Sequence, residues 1–174
     1  MRFRLIWTGL TATLLVACAS TPPSPATQAQ AQLEPIGSHG AIGSVLIRQH
    51  ADGQVSLQAL VRGLTPNTEH GFHIHEHGSC QDQGNAAGGH FNPMRSQHGK
   101  YSTPQHHVGD LPSLKADANG VATLNLRSTD ISLADATKSV MGRAIVVHAK
   151  ADDYVSQPSG DSGARIACGV ISLR

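Results

Sequence analysis

The sequence predicts an all-β domain, an antiparallel sandwich or barrel. Short apolar segments alternate with period two, Gly-centred turns fall between them at regular spacing, and no stretch carries a sustained helical period. Ser44 to Gln49 alternates strictly, Asp52-Gly53 marks a turn, and Val55, Leu57, Ala59 and Val61 repeat the period, so the first clear unit is a hairpin. Gly63-Leu64-Thr65-Pro66-Asn67 turns the chain into a third strand, His70 to Glu76. Asn119-Gly120 opens another from Val121 to Arg127; Arg143 to Lys150 and Ile166 to Leu173 read as two more. A weaker strand is expected around Gln30 to Pro35.

Composition agrees with this reading. Charged residues are 14% and aromatics 3%, with 18 glycines among 174 residues, which suits short strands and many turns in one domain plus processing segments. Residues 1–17 have the form of a secretory signal: Arg2 and Arg4, then an apolar run from Leu5 to Val16 too short to span a membrane. Leu15-Val16-Ala17-Cys18 resembles the bacterial lipobox, so Cys18 is expected to become the lipidated first residue of the mature chain. Residues 18–29, rich in Pro, Thr, Ala and Gln, are expected to form a flexible tether, and residues 30–174 the folded domain. The absence of an aspartate after Cys18 favours the outer membrane, by resemblance to enterobacterial sorting. Removing Arg2 and Arg4 lowers Lys+Arg from 13 to 11 against 12 Asp+Glu, so the mature charge is near −1. That excludes a nucleic-acid binder, which needs a basic surface.

The stretch His77 to Pro112 has no sustained period, and so long a loop is expected only where function orders it. Eleven histidines are the compositional outlier, and histidine is the commonest metal ligand. His73 and His75 lie two apart on a strand and share a face. Alone they could be two solvent-facing histidines, but His148 ends the apolar run Ala144 to Val147, where an unpaired polar group is costly. Three imidazoles from rigid strands suit copper or zinc. The loop adds His90, His98, His107 and Asp110, enough for a tetrahedral zinc site; spacing alone does not separate His106 from His107. Cys80 and Cys168 remain as an even pair in a compartment that permits a disulfide.

Six blocks occur in the order found in copper/zinc superoxide dismutases: Gly71-Phe72-His73-Ile74-His75-Glu76, Gly89-His90-Phe91-Asn92-Pro93, His98-Gly99, His107-Val108-Gly109-Asp110-Leu111, Val147 to Asp153, and Arg165 to Ile171. The chain resembles that family from about Gln30 to its end, and Gly78-Ser79-Cys80 looks more like the bacterial periplasmic branch. The resemblance implies an Ig-like flattened Greek-key β-barrel of about eight antiparallel strands with long metal-binding loops. It implies one copper per subunit on His73, His75, His90 and His148, and one zinc on His90, His98, His107 and Asp110. His90 would then bridge as an imidazolate, since two cations make loss of its second proton feasible. Asp152 would link a copper histidine to a zinc histidine, Cys80 and Cys168 would form the disulfide, and Arg165 would be the active-site arginine. The reaction implied is disproportionation of superoxide, with Arg165 and His90 taking part. The implied partners are superoxide and the membrane through the lipid; a homodimer is one possible assembly, and the sequence leaves monomer or dimer open.

Two features depart from the family pattern. His39, His50, His70, His77 and His106 have no role to carry over, and Tyr154 to Ala164 carries only Asp161 as a charge, unlike the charged guiding loop of the eukaryotic enzymes. The rival reading is a periplasmic copper/zinc carrier on the same fold; a metal-free envelope domain is a weaker rival, since it predicts missing ligands.

Overall fold

A computed structural model describes residues 27–174. The expected signal segment, Cys18 and the tether up to Ala26 lie outside the described residues. Ten strands follow in chain order: β1 Gln28–Pro35, β2 Ile42–Gln49, β3 Val55–Arg62, β4 Glu69–His70, β5 Phe72–His75, β6 Leu114–Lys115, β7 Ala122–Ser128, β8 Ala144–His148, β9 Arg165–Val170 and β10 Ser172–Leu173. No α-helix occurs among the described residues; one 3-10 turn, Asn85–Ala87, interrupts the long loop.

Eight strands form one curled antiparallel sheet in the order β5-β8-β9-β1-β2-β3-β7, with β10 also on β1; β4 and β6 pair apart. β1 is the shared strand, pairing with β2 along Gln28 to Leu33 and with β9 through Glu34 and Pro35. The curl folds the sheet over one core. Leu33, Val45, Ile47, Leu57 and Val61 from one half meet Phe72, Ile74, Ile145, Val147 and Ile166 from the other, in a single buried cluster. Period-two alternation does this: Val55, Leu57, Ala59 and Val61 are buried while Gln58 and Arg62 face out. β8 is different, because Ala144 to His148 are all buried. Ile145 and Val147 enter the main core while Ala144 and Val146 join a smaller cluster with Ile36, Ala87 and Cys168.

The structure differs from the sequence expectation in four places. β1 begins at Gln28, so Gln28 and Ala29 belong to the sheet and not to the tether; Ala29 and Ala31 are its inward residues. The third strand is broken at Gly71, whose N–H bonds Lys150 and whose carbonyl accepts from His148. A side chain there would strike Ser162, with its Cβ 2.8 Å away. The last strand is broken at Ile171, whose N–H bonds the Arg143 carbonyl and whose side chain turns into the core. Finally, Leu114–Lys115 forms a short strand against Glu69–His70.

Candidate metal centre

Three of the site histidines come from the paired edge β5-β8. His73 and His75 on β5 lie opposite Val146 and Ala144, and His148 ends β8. The loop is drawn onto the same edge by two isolated bridges, His73 with Asp110 and His75 with His90. These place the ligand atoms of His73, His75, His90 and His148 within 4.8 Å of one another, and likewise those of His90, His98, His107 and Asp110. His90 belongs to both groups. All seven residues are buried.

Hydrogen bonding at the outer edge of four of the rings decides which nitrogen faces the centre. His73 Nε2 donates to Asp152 Oδ2 at 2.7 Å, and His98 Nε2 donates to Asp152 Oδ1 at 2.9 Å. His75 Nδ1 donates to the Gly88 carbonyl at 2.9 Å and His148 Nδ1 to the Gly163 carbonyl at 3.2 Å. For His73, His75 and His148 the proton therefore sits on the outer nitrogen, and the inner nitrogen presents its lone pair. Nε2 of His75 and Nε2 of His148 face each other at 3.4 Å.

Four ring nitrogens are buried without a hydrogen-bond partner: His73 Nδ1, His90 Nε2, His98 Nδ1 and His107 Nδ1. His98 Nδ1 and His107 Nδ1 lie 3.1 and 3.3 Å from Asp110 oxygens without hydrogen-bond geometry. Rings crowded around one carboxylate but not bonded to it have the arrangement of ligands around a cation. Orphaned buried polar atoms are rare and costly, and these four fall on the two focal points. Imidazole with one carboxylate suits zinc, and an all-imidazole set suits copper. The residues fit the two metals.

Electrostatics point the same way. Burial, reinforced by neighbouring histidines, lowers His75 well below its usual range and His148 to about 3. Burial also brings His90 down to about 4, although Asp110 opposes it. Burial disfavours the charged form of His98 too, but the Asp110 and Asp152 carboxylates outweigh it and raise the ring to about 9. Burial raises both carboxylates, and their histidine partners more than reverse this, holding each far below the carboxylate range. Metal-free, the charged His98 ring thus lies between two buried carboxylates.

This sets the pH dependence of the metal-free fold. His98, raised from 6.5 to about 9, contributes stability that is complete below pH 6.5 and lost as pH rises through 9. His90 and His148 are depressed, so their contribution is lost as pH falls from 6.5 toward 4 and 3. Thermal unfolding of metal-free protein should therefore be most resistant near pH 6.5, with stability falling on both sides. Zinc should remove the alkaline arm by occupying His98 Nδ1. An alkaline arm unchanged by zinc would contradict the assignment of His98.

Arg165 opens β9 and lines an open cleft of about 510 Å³ together with His75, His90 and His148. Its guanidinium is clamped by the carbonyls of Gly84 and Gly88, the latter at 2.6 Å. Both belong to the segment after Cys80. Cys80 and Cys168 are disulfide-bonded, with Cα atoms 5.7 Å apart, so the bridge fastens that segment to β9. Gly160, with φ at 72°, passes so close that any side chain would collide with Asp152 and His98.

The other histidines separate clearly. His106 donates from Nδ1 to Thr103 O at 2.7 Å and lies 3.6 Å from Asp130, outside both clusters. His107, not His106, is the residue beside Asp110. His50 bonds Ser56, and His77 stands exposed beside Glu76; His39 lies exposed before β2. Of the five histidines the sequence left without a role, His70 is the one tied to a ligand. It is buried, its Nδ1 donates to the His148 carbonyl at 2.8 Å, and its Nε2 lies 2.9 Å from the Thr68 hydroxyl. Its place before Gly71 on a short strand gives no pattern that announces this.

A curled antiparallel sheet that carries two four-ligand clusters sharing one buried imidazole defines a binuclear metalloprotein. A family model described as copper/zinc superoxide dismutase (SODC) matches residues 41–171. The chain belongs to the copper/zinc superoxide dismutase family, whose members are oxidoreductases that use copper and zinc. It is 39% identical over 144 residues to superoxide dismutase [Cu-Zn] 2 of Mesembryanthemum crystallinum, covering 79% of this chain and 91% of the relative. The same identity and length relate it to superoxide dismutase [Cu-Zn] of Saccharomyces cerevisiae, covering 79% and 93%. Superoxide dismutase-like protein YojM of Bacillus subtilis is 38% identical over 136 residues, covering 75% and 69%.

Proposed function

We propose that this chain is a superoxide dismutase of the bacterial cell envelope. It converts two superoxide anions and two protons to dioxygen and hydrogen peroxide. The observation that carries this reading is His90, whose Nε2 faces the His73, His75 and His148 cluster while its Nδ1 lies against Asp110. His73, His75, His90 and His148 would hold copper, which would supply the one-electron couple for both half-reactions, and His90, His98, His107 and Asp110 would hold zinc, which would supply a fixed charge.

The chain's own residues move the proton and guide the anion. His90 Nε2 is the atom that takes up a proton in the first half-cycle and passes it to the second superoxide, water giving the other. Asp152 fixes the planes of His73 and His98 through one carboxylate. Arg165 spends two N–H donors on Gly84 and Gly88 and keeps its charge on the cleft wall, where it attracts and orients the anion.

With a mature charge near −1, acceleration of encounter rests on this local field. Arg165→Ala should lower kcat/KM by roughly tenfold at low ionic strength, within the range such fields supply. The deficit should shrink as salt is added, and metal content should stay unchanged. Equal rates at low salt would remove Arg165 from this role.

The same proposal places the enzyme in the periplasm. Cys18 carries the lipid, residues 1–17 are removed, and the outer membrane is the favoured anchor. Intact mass of the membrane-extracted protein tests this: a diacylglycerol adduct on a chain beginning at Cys18 is expected, and an unmodified mass would reject it. A homodimer is the proposed assembly. The second reading, a periplasmic copper/zinc carrier without dismutase activity, draws on the Bacillus subtilis relative whose name stops at dismutase-like. Complete ligand sets facing a cleft with a clamped arginine favour the enzyme.

A further inference from the structure

Gln157 is an exposed glutamine whose amide is spent inside the chain. Its Oε1 accepts the backbone N–H of His98 at 2.9 Å, and its Nε2 donates to the backbone carbonyl of the same residue at 2.9 Å. Nε2 also lies 3.3 Å from the Val155 carbonyl, which occupies its second hydrogen. An exposed amide normally satisfies itself with water, so two bonds to both polar backbone atoms of one residue, 59 positions away, constitute a clamp.

The clamp is set up by its own segment. Asp153 Oδ1 accepts from the N–H groups of Val155 and Ser156 at 2.9 and 2.8 Å, turning the chain so that Gln157 reaches His98. Asp152, at the start of the same segment, holds His98 Nε2 at 2.9 Å. Residues 152–157 therefore grip His98 at its ring, its N–H and its carbonyl. With the backbone and Nε2 both fixed, the direction of Nδ1 toward Asp110 is determined. Gln157 also lines the cleft beside His75, His90 and His148.

We propose that Gln157 is a positioning residue for the zinc cluster, aligning His98 through its backbone and fastening that cluster to the wall of the copper cleft. The inference rests on the reading of His98 as a zinc ligand. Losing a partner that orients a ligand costs about 10–100-fold in metal affinity. Gln157→Ala should accordingly release zinc to a competing chelator about tenfold faster than the parent, with copper content unchanged. The His98 amide should also exchange its hydrogen faster.

Gln157→Glu keeps the size and the acceptor but removes the donor, leaving an oxygen opposite the His98 carbonyl. It should release zinc like the alanine variant. Both substitutions lie on an exposed side chain, outside the core. The test is zinc release from the fully loaded mature protein, read beside copper content and amide exchange. Zinc retention by Gln157→Ala equal to the parent would overturn the proposal, as would parental retention by Gln157→Glu, which would reduce the side chain to a space filler. Parallel loss of copper would also overturn it, because the effect would then be general loosening. If the parent itself holds no zinc, the reading of the cluster fails, and the inference falls with it for a separately visible reason.

Discussion

His148→Ala is expected to abolish copper binding at the dismutase centre, and activity with it, while zinc stays in place. His148 is the ligand supplied by β8, and its geometry is held from three sides. Its N–H bonds the Gly71 carbonyl, its carbonyl accepts from His70, and Nδ1 donates to Gly163. All of that fixes Nε2 opposite His75. Alanine leaves three imidazoles, and losing a direct ligand should exceed the roughly 100-fold cost of losing an outer partner. Zinc should persist because His90, His98, His107 and Asp110 form the other cluster intact. Metal analysis beside a dismutation assay checks both halves of the expectation. Full copper with parental turnover would contradict the assignment of His148.

Replacing the disulfide should cost the most stability. Cys80 and Cys168 are 88 residues apart in sequence, a long loop for one bridge to close. Chain entropy alone puts its contribution at roughly 4–5 kcal/mol. Cys168 is buried with Ile36, Ala87, Ala144 and Val146, so Cys168→Ala together with Cys80→Ser is the cleaner variant, avoiding a buried hydroxyl. Its Tm should fall steeply. A second loss should follow from the same cause, since the freed segment carries the Gly84 and Gly88 carbonyls that clamp Arg165. Dismutation per bound copper should therefore also decline. An unchanged Tm would mean that the loop is held by its metals and packing alone.

Much of this was legible in the sequence because it is local. The β2-β3 hairpin announces itself by strict alternation around Asp52-Gly53, and β5 places His73 and His75 on one face through the same period. The order of the six motif blocks carries the remaining ligands by resemblance. What was not legible depends on distant partners. Gln28 and Ala29 read as tether because glutamine and alanine are poor strand formers, yet pairing with Arg48 and Ile47 places them in the sheet. The break at Gly71 comes where its N–H and carbonyl bond Lys150 and His148, far along the chain. His106 and His107 are neighbours in sequence and separable only by where the Asp130 and Asp110 carboxylates lie. His70 and Gln157 act through backbone atoms of other residues, which no spacing pattern records.

The central claim is that two clusters sharing His90 form a centre that dismutes superoxide. The measurement that tests it most directly is superoxide decay after pulse radiolysis, on the soluble chain from Ala19 loaded with one copper and one zinc. The expected result is catalytic decay whose rate rises in proportion to bound copper and is lost in His148→Ala. Protein that holds both metals yet leaves superoxide to decay at its uncatalysed rate would contradict the claim, and would make the chain a metal carrier built on a dismutase fold.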